Sequence, residues 1–202
     1  MKRCTLFFCL LVGCSMFAAE GYNNGKKGLR FSYYFGVGVP AHVPVMASDK
    51  TGYAVTLGFD IRLFAADRFN VRAGLGVQQL GYSGRTIDGS GNYTVSAPMV
   101  NLPVSFIYRV SQQQKRYVSV KLGLVESLVA GYQVTGVPFP SSNPFLLTWV
   151  NAGMIYKIRK TNDGGPAVYL EPELQYLVTP PQNLPNNRSL WAFLLKLRIA
   201  FQ

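Results

Sequence analysis

The chain has 202 residues, of which 49% are hydrophobic and only 14% are charged, and its formal net charge is +11. About a quarter of the residues in a soluble domain are charged, so the composition disfavours a protein whose whole surface meets water. The three cysteines, Cys4, Cys9 and Cys14, all precede residue 20, and His42 is the single histidine. Once residues 1–19 are removed, disulfides, zinc–thiolate sites, cysteine nucleophiles and histidine-based metal sites are excluded.

The N-terminus predicts a secretory signal peptide over residues 1–19. Lys2-Arg3 supplies positive charge, the following segment to residue 17 is uncharged and apolar, and Ala18-Ala19 offers small residues for cleavage. The uncharged stretch is shorter than the roughly 20 residues that a transmembrane helix needs. Lipidation is the alternative, because residues 11–14, LVGC, match the pattern of bacterial lipoproteins whose cysteine carries the lipid.

After residue 28, apolar and polar residues alternate in eight segments, which is the period of a β-strand with two different faces. The segments cover residues 29–39, 53–63, 69–78, 100–109, 117–132, 149–159, 168–176 and 191–201. Most have about 10 to 13 residues, close to the 9 to 11 that cross a bilayer at a tilt. An even number of antiparallel strands places both ends of the barrel domain on one side of the membrane.

Two features indicate that the apolar face meets lipid. Charged residues of the strands avoid this face except for Glu126, and we expect a bulge near Leu124 and Val125 to turn that carboxylate inward, since a bare charge in lipid is costly. Aromatic residues on the apolar face gather at the strand ends, as in the girdles that mark membrane interfaces. One predicted girdle comprises Phe69, Tyr108, Tyr156 and Phe201, and the other comprises Tyr53, Tyr132, Tyr176 and Trp191.

The connections predict how the barrel is oriented. Short polar turns follow the second, fourth and sixth strands, and longer loops follow the others, which is the pattern of outer-membrane proteins with the short turns in the periplasm. We therefore predict an all-β, eight-stranded antiparallel up-and-down transmembrane β-barrel over residues 20–202, in the cell outer membrane. A secreted, soluble lipocalin-like ligand-binding barrel is the alternative, although its outer face would need more charge.

Several residues fit this pattern poorly. Pro98, Pro103 and Pro172 cannot donate to a strand ladder, so each predicts a bulge or a missing bond. Leu80 and Tyr82 interrupt the alternation, and we interpret this as the third strand leaving the membrane. Gly58 lies on the inward face, and we expect Gly58→Ser to be tolerated better than Leu57→Arg on the outward face.

The inward face carries the remaining strand charges. Eight strands enclose an interior just wide enough for side chains to fill, and unpaired charges there are costly, so we predict a lumen plugged by ion pairs. A narrow, anion-preferring pore is the alternative. The predicted lumen residues are Arg30, Asp60, Arg62, Arg72, Arg109, Lys121, Lys157, Glu171, Glu173, Lys196 and Arg198.

The chain offers little for catalysis. His42 is the one candidate base, predicted to lie in the first outer loop near Ser48 and Asp49, and no Gly-x-Ser-x-Gly motif occurs. We predict no enzymatic activity, no catalytic residues, no metal and no cofactor, with an outer-membrane lipid-modifying enzyme as the alternative. The basic balance favours outer-membrane lipid and lipopolysaccharide as partners rather than nucleic acid.

Three segments carry a resemblance to a known family. They are the Gly-rich first strand (Phe35-Gly36-Val37-Gly38), the segment Asn101-Leu102-Pro103-Val104, and the closing Ile199-Ala200-Phe201. Over residues 28–202 the chain resembles small outer-membrane β-barrels of Gram-negative bacteria, and most of all the PorT-like "outer membrane protein β-barrel domain" family. The resemblance implies insertion by the barrel-assembly machinery and a structural or interaction role, through surface loops or as an envelope or secretion scaffold.

Overall fold

The computed structural model describes residues 30–43, 50–85, 91–111, 118–131, 133–135, 145–159, 166–178 and 189–201. Its strands are β1 (Phe31–Val43), β2 (Lys50–Ala65), β3 (Phe69–Arg85), β4 (Asn92–Arg109), β5 (Val118–Val129), β6 (Gln133–Thr135), β7 (Phe145–Arg159), β8 (Ala167–Leu177) and β9 (Ser189–Ala200). In this described part of the chain, no helix is long and apolar enough to cross a membrane.

The strands form one antiparallel sheet that closes on itself. Neighbours follow the order β3-β2-β1-β9-β8-β7-β5-β4, and pairing between β3 and β4 completes the circle. The short strand β6 pairs with β4 beyond the end of β5, so β5 and β6 together make one element of the wall. The described strands therefore build the closed eight-stranded antiparallel barrel that the sequence predicts.

The register fixes the tilt of the strands. A path that starts at Phe31 and passes from each residue to its paired residue on the next strand goes once around the barrel. It returns to β1 at Ala41, ten residues further along. Ten residues of strand span about 33 Å, and eight strand spacings span about 38 Å. The strands are therefore inclined by about 40° to the barrel axis, within the range of closed barrels.

The two ends of the barrel differ. We call the end where β1 begins the turn end; it carries connections 66–68, 110–117 and 160–166, whereas the opposite loop end carries 44–49, 86–91, 136–144 and 178–188. The contrast in length is smaller than the sequence predicts. The reason is that β3 and β4 have 17 and 18 residues and take up positions that were expected in a loop.

Alternation along each strand sorts the side chains into two faces. Leu57, Val77 and Leu122 are 54–60% exposed on the outer face, whereas Thr56 and Lys121, next in sequence, are at most 4% exposed. Two-faced strands are what the sequence predicts, and the structure confirms this arrangement on all eight walls of the barrel.

Glu126 departs from the sequence-based prediction. The register of β5 runs without a shift along both of its neighbours, so the predicted bulge near Leu124 and Val125 is wrong. Glu126 stays on the outer face and is partly buried. Thr148, its partner on β7, donates from Oγ1 to the carboxylate, at 3.0 Å from Oε1 and 3.2 Å from Oε2. A hydroxyl from the adjacent strand thus solvates the charge, and no change in strand direction is needed.

The three strand prolines behave differently from one another. The β3–β4 ladder lapses beside Pro103 and the β7–β8 ladder lapses beside Pro172, in both cases without a change of register. These are the missing bonds expected of a residue without an N–H group. Pro98 is paired with Gln79 on the β3 side, but on its other side the ladder lapses between Met99, paired with β5, and Ser96, paired with β6, and the register changes by one residue. Ala130 donates to the carbonyl of Pro98 at 3.2 Å.

Gly58 is more constrained than its sequence context suggests. It lies beside Tyr34 on β1 and Gly76 on β3, and the phenol ring of Tyr34 occupies the space that the two glycines leave. A Cβ atom at Gly58 would lie 2.6 Å from Tyr34 Cζ and 2.6 Å from the carbonyl oxygen of Leu75. A side chain at this position therefore carries a packing cost, and the expectation that serine here is tolerated better than arginine on the outward face stays a prediction.

Candidate functional site in the barrel interior

The outer surface of the barrel is apolar between two aromatic rims. At the turn end, Phe69, Tyr108, Tyr156 and Phe201 are 36–49% exposed; at the loop end, Tyr53 is 52% exposed and Tyr176 packs against Trp191 with ring centroids 4.6 Å apart. Tyr132 lies outside the described residues. The ten-step rise from Phe31 to Ala41, at the tilt derived above, covers about 25 Å along the barrel axis, which matches the apolar band of a transmembrane barrel.

Inside the barrel, Glu173 on β8 gathers three donors. Lys196 Nζ donates to Oε1 at 2.8 Å, Gln175 Nε2 donates to the same oxygen at 2.7 Å, and Lys121 donates to Oε2. Lys121 belongs to β5 and Lys196 to β9, so the carboxylate joins strands that are not neighbours in the wall. Glu173 is 1% exposed, and its charge is compensated by these three side-chain donors.

Arg198 on β9 forms a second centre beside the first. Its Nε and Nη2 atoms donate to the two oxygens of Glu171 as a fork, the second bond measuring 3.0 Å. Its Nη1 atom donates to Asp60 Oδ2 and, at 2.8 Å, to Ser32 Oγ, which in turn donates to Asp60. A bidentate guanidinium–carboxylate pair of this kind is strong and strict in geometry. Lys121 Nζ, 3.5 Å from Glu171 Oε2, connects the two centres.

The predicted lumen residues divide into two groups. Arg72 Nη1 is 4.0 Å from Glu171 Oε1, and six other residues make the bonds described above. These seven form what we call the ion-paired layer: Asp60, Arg72, Lys121, Glu171, Glu173, Lys196 and Arg198. Arg30, Arg62 and Arg109 lie nearer the turn end and are only partly buried. Lys157, at the same end, lies over the ring of Tyr169 at 6.0 Å.

The loop-end half of the interior is apolar, a feature that sequence reasoning missed. Leu80 and Tyr82 remain in β3, paired with Ala97 and Val95, and point inward. The strand itself continues there: the direction of the side chains still alternates, and only their polarity changes. That β3 leaves the membrane near these residues stays a prediction. The apolar plug comprises Ala54, Leu80, Tyr82, Tyr93, Val95, Ala97, Met99, Val125, Val129, Leu147, Trp149, Leu177, Leu190 and Leu194.

Between the ion pairs and the apolar plug lies a layer of uncharged polar side chains. Asn101 Nδ2 donates to Gln78 Oε1 at 2.8 Å, and Thr56 Oγ1 donates to the carbonyl oxygen of Val77 at 3.3 Å. Asn151 and Gln175 are buried at 1% and 2% exposure at the same depth. The interior thus passes from charged to polar to apolar along the barrel axis, starting from the turn end.

The residues considered for catalysis lie largely outside the described part of the structure. His42 lies in β1, opposite Leu190 of β9, and not in a loop as predicted; Ser48 and Asp49 lie outside the described residues. Among the residues that the structure describes, no three His, Cys, Asp or Glu side chains are grouped to hold a metal ion.

An apolar outer band, aromatic rims, tilted strands and a packed interior together define the fold of a transmembrane β-barrel of the outer-membrane type. Solved structures similar to this chain include neisserial surface protein A (13% identity, TM-score 0.45, covering 88% of this chain and 99% of that one). Others are Ail, the attachment invasion locus protein of Yersinia pestis (10%, 0.47, 87% and 100%), and the N-terminal β-barrel domain of Pseudomonas aeruginosa OprF (13%, 0.41, 84% and 97%).

Sequence comparisons add no closer assignment. No family model matches the chain, and no curated protein matches it. The resemblance to the PorT-like family therefore stays a prediction.

Proposed function

We propose that the chain is an integral outer-membrane β-barrel protein whose lumen is closed and whose role is structural or an interaction role. Its surface loops would bind a partner, or the barrel would serve as a scaffold in the envelope or in secretion. The observation that carries the proposal is the division of the interior into an ion-paired layer and an apolar plug. A barrel without a continuous polar path through its interior does not conduct, and it is suited to anchor surface loops in the membrane.

The packing of the interior argues against transport. Trp149, Tyr93 and Leu194 are at most 1% exposed, and they project inward from three different walls of the barrel. Water and ions need polar partners along their path, and an apolar constriction of this kind excludes them. The charged layer is equally closed, because Asp60, Glu171 and Glu173 are bound by amino and guanidinium groups.

The proposed orientation places the turn end in the periplasm and the loop end outside the cell. Connections in outer-membrane barrels are short on the periplasmic side, and the shortest connection from one wall of the barrel to the next, 66–68, is at the turn end. With this orientation the loop-end girdle meets lipopolysaccharide. Insertion would require the barrel-assembly machinery, as for the proteins that the chain resembles.

Conductance measurements test the closed lumen. The refolded wild-type barrel should show no steady current in planar lipid bilayers, because side chains fill the bore. A variant with Tyr93→Gly, Trp149→Gly and Leu194→Gly, with its β-structure verified by circular dichroism, should conduct at least intermittently. Steady, anion-selective currents through the wild-type barrel would contradict the closed lumen and favour a narrow pore.

The absence of catalysis is also part of the proposal and needs its own test. His42→Ala should leave the lipid A and phospholipid composition of expressing cells unchanged when the lipids are compared by mass spectrometry. If wild-type expression alters a lipid and the His42→Ala variant does not, the protein is a lipid-modifying enzyme.

A further inference from the structure

A recess opens at the turn end of the barrel, where β1 begins and β9 ends. One arginine that precedes β1 and one each from β2 and β3 contribute to it, together with a tyrosine from β8. Two aromatic residues of the outer face stand at its rim, so the recess borders both the lumen and the lipid. The residues that matter here are Arg30, Arg62, Arg72 and Tyr169 inside, and Phe31 and Phe201 at the rim.

Arg72 is the buried donor of this recess. It is only 6% exposed, and its Nη1 atom makes no hydrogen bond within the described part of the chain. The closest carboxylate oxygen is Glu171 Oε1 at 4.0 Å, beyond hydrogen-bonding distance. Glu171 is itself occupied by Arg198 and Lys121. A buried guanidinium N–H without an acceptor is costly, and an anion in the recess would supply one.

The charge around the recess favours an anion as well. Among the described residues, the predicted lumen residues comprise eight basic side chains against three carboxylates. All three carboxylates, Asp60, Glu171 and Glu173, are bound within the ion-paired layer. The residues that line the recess include no carboxylate. The turn end therefore has a positive potential that attracts anions.

We propose that this recess binds a phosphate group, with Arg30, Arg62 and Arg72 as its donors. Guanidinium groups present pairs of N–H donors that match the oxygens of phosphate. Because Phe31 and Phe201 stand at the rim on the lipid side, both a phospholipid headgroup and a soluble phosphate ester have access. The proposal depends on the barrel fold and not on the cellular role proposed above.

Calorimetric titration with inorganic phosphate tests the site. The full barrel, folded in a maltoside detergent, should bind phosphate saturably when chloride keeps the ionic strength constant. Arg72→Gln should weaken binding roughly tenfold or more, since a charge-assisted donor is lost, and Arg72→Lys should bind with intermediate affinity. Arg109→Gln is the matched control, because it removes a basic residue at the same end that does not line the recess.

Two further measurements complete the test. If Arg72→Gln does not fold, Arg30→Gln provides the second variant, because Arg30 precedes β1 and lies outside the ion-paired layer. Monomeric short-chain phosphatidylglycerol is then added as a competitor: displacement of phosphate identifies a lipid headgroup as a ligand, and its failure to compete identifies soluble phosphate esters. The absence of saturable phosphate binding to the wild type, or an equal loss in Arg109→Gln, would overturn the proposal.

Discussion

Lys121 on β5 donates a hydrogen bond to Glu173 on β8, although the whole of β7 separates the two strands in the barrel wall. The contact therefore crosses the interior and does not follow the ladder. Because Glu173 also accepts from Lys196 on β9 at 2.8 Å, one carboxylate links three parts of the wall. The charged layer acts as a cross-brace for the turn-end half of the barrel.

Removing the charge of Glu173 should destabilise the barrel strongly. Glu173→Gln leaves Lys196 without a carboxylate and Lys121 with only Glu171, at 3.5 Å. Breaking a buried pair from one side costs about 3 kcal/mol or more, so the midpoint of equilibrium urea unfolding in detergent should fall. Glu173→Gln combined with Lys196→Met should lose less than Glu173→Gln alone, since one uncompensated ammonium is gone. If Glu173→Gln is as stable as the wild type, the charged layer does not act as a cross-brace.

A methyl group at Gly58 should be poorly tolerated. Gly58→Ala places its Cβ atom against Tyr34 and 2.6 Å from the carbonyl oxygen of Leu75, and overpacking of this kind typically costs about 1–3 kcal/mol. Gly131→Ala is the matched control, because nothing lies within 4 Å of a Cβ atom at Gly131. Unfolding midpoints of the two variants should differ clearly. If both match the wild type, Tyr34 is free to move and does not fill the space above the glycine.

The faces of the strands could be predicted from the sequence because alternation is a local property. Leu57 and Thr56 lie on opposite faces of β2 because neighbouring residues of a strand do so. The outer band and the lumen charges therefore follow from the spacing of apolar and polar residues in the sequence. The shielding of Glu126 could not be predicted, since it depends on Thr148 lying opposite on another strand. The plug was missed for a different reason: around Tyr82 both faces carry mixed residues, and the signal of period two disappears.

The hydrogen bond from Thr148 to Glu126 should be worth measuring by a double-mutant cycle. Thr148→Val removes the donor and leaves a carboxylate on the lipid side, which should destabilise the barrel in lipid vesicles by about 1–3 kcal/mol. The same substitution beside Glu126→Leu should have little effect, because no charge then needs a partner. Equal effects of Thr148→Val in both backgrounds would mean that Glu126 is solvated by another group.

The position of the membrane can be tested with single arginines. Leu57 is 55% exposed on the outer face of β2 and Val110 is 56% exposed just beyond the turn end of β4. Arginine near the middle of a bilayer costs about 2–4 kcal/mol, and near the interface only about 0–1 kcal/mol. Leu57→Arg should therefore lower the stability of the barrel in lipid vesicles much more than Val110→Arg. Equal tolerance of both variants would favour the soluble, lipocalin-like barrel.

Labelling of single cysteines tests the orientation. Asn92, at the loop end of β4, and Asp67, in the connection between β2 and β3 at the turn end, are both exposed. All three natural cysteines precede residue 20, so a chain that has lost its signal peptide gives no background. On intact cells a membrane-impermeant maleimide should label Asn92→Cys and leave Asp67→Cys unlabelled, because only the loop end is proposed to face outward.

Permeabilised cells supply the control for this experiment. Once the outer membrane is opened, both Asn92→Cys and Asp67→Cys should react, because both positions are exposed in the folded barrel. Labelling of Asp67→Cys alone on intact cells would invert the barrel and place the arginine recess on the outer surface. If Asp67→Cys fails to react even after permeabilisation, either a bound partner covers the turn end or the turn itself is buried. The maleimide reaction of the purified barrel distinguishes these two cases.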